Sequence, residues 1–149
     1  MDDQQARDAL ASIAAAQSQL AKTQTFPLWR HAALGVVSAL LIAAIAAPQS
    51  YFALFYIPSM AGIVWLVRYD RRTTGTFVNG WRWGRTLPVS LVLLALLLGL
   101  VFFAHRTRAD GAFSSEGLLA IAAGFVLGTV FSMVWQRVYI EELRQGGGQ

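Results

Sequence analysis

RYDRRTTGTFVNGWRWGR, residues 68–85, is the stretch whose reading decides the fold. It carries Arg68, Arg71, Arg72, Arg82 and Arg85, and it separates two long apolar blocks, each interrupted once by a short polar turn. A basic, lysine-free run between apolar blocks is the pattern of a loop held at one membrane face, because cationic side chains resist translocation. Working outward, the preceding block divides into a segment from Leu28 to Ala47, the turn Pro48-Gln49-Ser50, and a second segment from Tyr51 to Val67. The following block divides into a segment from Leu87-Pro88 to Ala104, the turn Arg106–Ser115, and a fourth segment from Glu116 to Trp135. Each is close to the roughly twenty residues that an α-helix needs to cross a bilayer.

Composition agrees. The 149 residues are 56% hydrophobic and 13% charged, with mean hydropathy +0.49. A soluble domain covers its surface with charge, so the solvent for most of these side chains is lipid. The net charge of +4 and pI near 10.1 would point to nucleic acid in a soluble chain. Here the arginines flank apolar segments, which excludes that reading in favour of orientation. Cysteine is absent, which removes thiolate chemistry and disulfides. Ala44-Ile45-Ala46 has the small-residue character of a leader cleavage site. The preceding polar region, with Asp2, Asp3 and Asp8, is too long and too acidic, so the first membrane helix is expected to be retained.

Of the twelve Lys and Arg, only Arg106 and Arg108 fall in the second polar turn; the rest lie in the N-terminal arm, the central loop and the tail. Both termini and the loop are therefore expected in the cytoplasm, in a bacterial cytoplasmic membrane. All five tryptophans (Trp29, Trp65, Trp81, Trp83 and Trp135) fall at the same predicted boundary, where indole prefers the headgroup level.

Two stripes of small residues are suited to helix packing, because apolar contact alone gains little over lipid. Gly35, Ala39 and Ala43 recur at i+4 in the first segment, and Ala120, Gly124, Gly128 and Ser132 in the fourth. They pack either on each other or across a dimer. Pro58, beside Ser59 and Gly62, is expected to kink the second segment. Residues 1–26 read as an amphipathic cytoplasmic helix with a narrow seam of Ala6, Leu10, Ile13, Gln17 and Leu20. Residues 27–67 form the first hairpin, 68–86 the Arg/Trp loop, 87–135 the second hairpin, and 136–149 a helical tail stopped by Gly146-Gly147-Gly148.

Chemistry is sparse. The expected membrane interior holds no Asp, Glu, Lys or Arg, the usual components of proton relays and coupled transport. Small four-helix multidrug exporters have this length but rely on an acidic residue in the first membrane helix, and Gly35–Ala47 has none. His31 and His105 fall at opposite ends of the bundle and cannot share a metal. His31 reads as an interfacial side chain. No Ser-His-Asp set, HExxH, P-loop or GxGxxG occurs. No catalytic, cofactor or metal residue is assigned, and the chain is read as a non-enzyme. The candidate contacts for anionic lipid headgroups or for a cytoplasmic or membrane protein partner are Arg68, Arg71, Arg72, Trp81, Arg82, Trp83 and Arg85. Arginine suits bidentate phosphate or carboxylate binding better than lysine does.

The Ala-rich start, then Phe26-Pro27-Leu28-Trp29-Arg30-His31 leading into Gly35, and the loop Thr74-Gly75-Thr76-Phe77-Val78-Asn79-Gly80-Trp81-Arg82-Trp83-Gly84-Arg85 resemble a group of small bacterial four-helix membrane proteins with no assigned activity. Some of that group are encoded beside winged-helix regulators. The resemblance implies the same fold and a link to regulation. The expectation is therefore an all-α, four-helix transmembrane bundle of two helical hairpins, both termini cytoplasmic, preceded by an amphipathic helix. Its expected role is an interaction or regulatory platform; the alternative is a small oligomeric transporter or channel, and a homo-oligomer fits both.

Overall fold

The computed structural model describes residues 4, 5, 8, 9, 11, 12, 15, 26–74, 85–108 and 113–144. The seam expected at Ala6, Leu10, Ile13, Gln17 and Leu20, the loop side chains Trp81, Arg82 and Trp83, and the stop at Gly146-Gly147-Gly148 lie outside the described residues. The chain is an all-α four-helix bundle. Its helices are α1 (Leu28–Ala46), α2 (Phe52–Thr74), α3 (Thr86–Arg106) and α4 (Ser115–Arg144), with a 3-10 turn at Gln49–Tyr51 between α1 and α2.

Local chemistry sets the helix ends. Pro27 precedes α1 in an extended conformation, with φ −68° and ψ 154°, and its carbonyl accepts from Arg30 N–H at 3.0 Å. A proline there costs nothing, since the first helical N–H groups have no intrahelical partner. Ser114 caps α4: its Oγ accepts from Gly117 N–H at 2.9 Å and donates to the Thr107 carbonyl at 2.7 Å. Glu116 in the first turn complements the positive end of the helix dipole. Arg108 donates to Gln49 Oε1 at 3.0 Å, so the two polar turns meet on one rim.

All four helices are long and apolar enough to cross a membrane. Their exposed faces confirm the solvent. On α3 only Thr86 and Ala104 are buried, while Leu91, Val92, Leu94, Leu96 and Leu98 face outward. An apolar surface of that extent would aggregate in water and is ordinary in lipid. The protein is membrane-embedded.

Helix α1 is the centre of the bundle, packing on α4 along its length and on α2. α3 packs mainly on α4, and α2 and α3 stand apart. The small-residue stripes form the α1–α4 contact within one chain. A Cβ on Gly35 would meet Thr129 Oγ1 and, at 2.7 Å, the Phe125 carbonyl oxygen; one on Gly124 would meet Ile42 at 2.9 Å. Gly128 lies against Ser38 and the Gly35 backbone. Ala43 and Ala120 are buried beside them, and Ala39 is half-buried. Toward the rim with the polar turns, Ile42, Ala46, Ala104 and Ala120 make a small core joining α1, α3 and α4.

Pro58 lies inside α2, and the next residue, Ser59, is fully buried and donates to the Val37 carbonyl of α1 at 3.2 Å. Interhelical hydrogen bonds in lipid average about 0.6 kcal/mol, so Ser59→Ala should cost roughly that amount, read from unfolding in mixed micelles.

One boundary differs from the sequence reading in a way that matters. Helix α2 does not stop at Val67 but continues to Thr74. The charged run 68–74, assigned above to the loop, is therefore helical, and its side chains divide between an outer and an inner face.

Candidate functional site

The inner face of that extension carries Asp70, which is buried. Asp70 points at the first turn of α1, where Arg30 is the third helical residue. Arg30 Nε donates to Asp70 Oδ1 at 3.1 Å, and Arg30 Nη2 donates to Asp70 Oδ2, a two-point pairing. The same guanidinium donates from Nη1 to Ser132 Oγ of α4 at 3.2 Å, and it stacks over the Phe26 ring at 4.3 Å. Next to it, buried His31 places Nδ1 2.7 Å from Ser132 Oγ, with Gln136 one turn further along α4. Three helices thus meet in one polar knot at the arginine-rich end.

The dipoles of the helices favour this pairing. A cation in the first turn of a helix and an anion near a helix C-terminus each oppose the macrodipole, by about 0.3–1 kcal/mol. Arg30 and Asp70 occupy those two disfavoured positions. Antiparallel packing of α1 and α2 brings them together, and each charge cancels the other's mismatch.

Around the knot lies an aromatic rim. Trp29 meets Tyr69 edge-on at 4.8 Å and Trp65 at 5.8 Å, and Trp135 stacks on Tyr139 at 5.2 Å. On the outer face Arg68, Arg71 and Arg72 are exposed on the last turns of α2, and Arg85 is exposed just before α3. The described part of the arginine set is therefore gathered at one end of the bundle.

Because α2 and α3 stand apart, a groove opens between them, with a cavity volume of about 370 Å³. Ile63, Leu66 and Val67 form one wall and Val89, Leu93 and Leu97 the other; Leu34 and Phe131 form the floor. Arg30, Asp70, Ser90, Ser132 and Trp135 close its charged end. Among the described residues the Trp135 indole nitrogen is buried with no hydrogen-bond partner, as is the Thr86 hydroxyl.

Ser132, expected from its i+4 stripe to be a packing residue, is one, and it is also the hub of the knot. The sequence pattern does not single out Arg30, Asp70 or Gln136, and His31, expected at the interface, is buried against its neighbours. One signal was present. Asp70 is the only acidic residue between Asp8 and Asp110, and it shares the Ile63–Leu66–Val67 face at helical spacing. A lone carboxylate on an apolar face needs a partner, and Arg30 is the cation nearest the start of the neighbouring helix.

Among the described residues no three His, Cys, Asp or Glu side chains converge as metal ligands. Comparison with protein-family models, with curated proteins and with solved structures returns no match.

Proposed function

We propose that this is a non-enzymatic interaction protein of the bacterial cytoplasmic membrane, with both termini cytoplasmic, whose arginine-rich end is a platform for an acidic protein partner. The observation that carries the reading is the Arg30–Asp70–Ser132 knot, which fixes the end of α2 where Arg68, Arg71 and Arg72 are displayed. Arginines held on a braced helix lose less entropy on binding than arginines on a free loop. The positive-inside bias supports the cytoplasmic orientation.

A photoreactive residue at exposed Thr73, activated in native membranes, should yield a discrete protein adduct by mass spectrometry. That adduct should be lost when Arg71 and Arg72 are changed to Gln. Adducts with lipid alone would defeat the platform reading.

The alternative of a small transporter draws support from one observation: an ion pair between two helices at the mouth of a groove is a common element of transport sites. Flux of small ions or organic cations through proteoliposomes, abolished by Asp70→Asn, would favour it over the platform.

A further inference from the structure

We propose that the groove between α2 and α3 is a binding site for one anionic phospholipid, with an acyl chain along the apolar walls and the phosphate at the Arg30 end. The inference shares with the platform reading only the placement of the charged end at an anionic leaflet.

Three features of the groove argue for a lipid. The first is its length. From Val89 to Leu97 it runs about 12 Å at 1.5 Å per residue, against roughly 15 Å for half of a 30 Å hydrocarbon core. It therefore spans most of one leaflet, apolar at the midplane end and polar at the headgroup end. Its volume lies within the roughly 300–1,000 Å³ of small-molecule sites.

The second is its chemistry. A guanidinium has five N–H donors, and among the described residues Asp70 and Ser132 take three of those on Arg30. Two remain, on a side chain that lines the groove. Donors left over beside an apolar channel call for an occupant with acceptors at one end, as phosphate and ester oxygens supply.

The third is charge. Asp70 is paired with Arg30, and Arg68, Arg71 and Arg72 on α2 and Arg85 just before α3 are exposed at the same end of the bundle. The field there attracts an anion, and juxtamembrane arginines favour anionic headgroups. A cationic amphiphile would meet that field and would have to displace Arg30 from Asp70. A zwitterionic lipid would gain less from it.

The test is native mass spectrometry of the delipidated full chain, titrated with phosphatidylglycerol or phosphatidylcholine of the same acyl chains. One phosphatidylglycerol should be retained at activation energies that strip phosphatidylcholine, with at least tenfold tighter apparent binding. Leu93→Trp, which fills the groove, should weaken it at least tenfold, and Leu97→Phe, a smaller change deeper along the same wall, should weaken it in the same direction. Val92→Trp, on the exposed side of α3, should leave it unchanged. Equal retention of the two lipids, or retention unaffected by both groove variants, would overturn the proposal.

Arg71→Gln with Arg72→Gln separates the two readings. It should abolish the protein adduct at Thr73 while the lipid stays bound, more weakly but still in preference to phosphatidylcholine. Loss of the lipid in that variant, with Leu93→Trp still binding, would put the lipid on the exposed arginines and overturn the groove site. A retained lipid in a chain that captures no partner would remove the platform alone.

Discussion

Gly35→Leu is expected to be the most damaging single substitution in the membrane core, with a loss of about 3 kcal/mol, the upper end of the usual cost of overpacking. A side chain at Gly35 would point into Thr129 Oγ1, the Phe125 carbonyl oxygen at 2.7 Å and the Phe125 ring at 3.1 Å. Two of these neighbours cannot retreat: one is helix backbone, and Thr129 is held by its own bond to the Phe125 carbonyl at 2.8 Å. The only relief is for α1 to move off α4. In lipid that contact has little hydrophobic drive to restore it and depends on close approach. Titration with denaturing detergent, followed by tryptophan fluorescence, should show the midpoint shift. Gly99→Leu is the control. Nothing lies within 4 Å of a Cβ there, so its effect should stay within about 0.5 kcal/mol. Equal losses at the two positions would mean that α1 and α4 do not pack through this stripe.

The second large effect concerns the knot. Asp70→Asn should cost about 3 kcal/mol, the lower end of the range for breaking a buried pair, because Arg30 and Asp70 side chains keep 17% and 12% of their exposure. Arg30→Met should cost a similar amount. The double variant Arg30→Met with Asp70→Leu should recover most of the loss, since well-packed apolar replacements of an ion pair are often neutral. With Asp70→Leu as the matching single variant, a coupling of at least about 3 kcal/mol in the double-mutant cycle is the expected reading. Additive losses would mean that the two charges act separately.

The four spans were legible because long apolar runs leave a membrane helix few alternatives, and α3, with its leucines facing lipid, is the plainest case. The packing stripes were legible too, as glycines at i+4; their partner was not, because Gly35 and Gly128 would look the same in a dimer seam. Asp70 was misplaced for a physical reason. Arg68, Arg71 and Arg72 make the run read as water-exposed, and nothing local says that α2 runs on past Val67 to carry Asp70 inward. That depends on Arg30, forty positions away. The groove was out of reach altogether, since it comes from α2 and α3 keeping apart, a property of how the two hairpins are set.

Arg30 and Asp70 belong to one hairpin, and this bears on how the chain enters the membrane. During synthesis the pair is complete once residue 74 has emerged, before α3 exists. Each charge alone raises the cost of partitioning its helix from the translocon, by up to roughly 3 kcal/mol at a helix centre and less near its ends. Released together, α1 and α2 present a neutral couple. The first hairpin is thus equipped to insert as a unit, and α4 then docks on a surface already organised to receive Ser132.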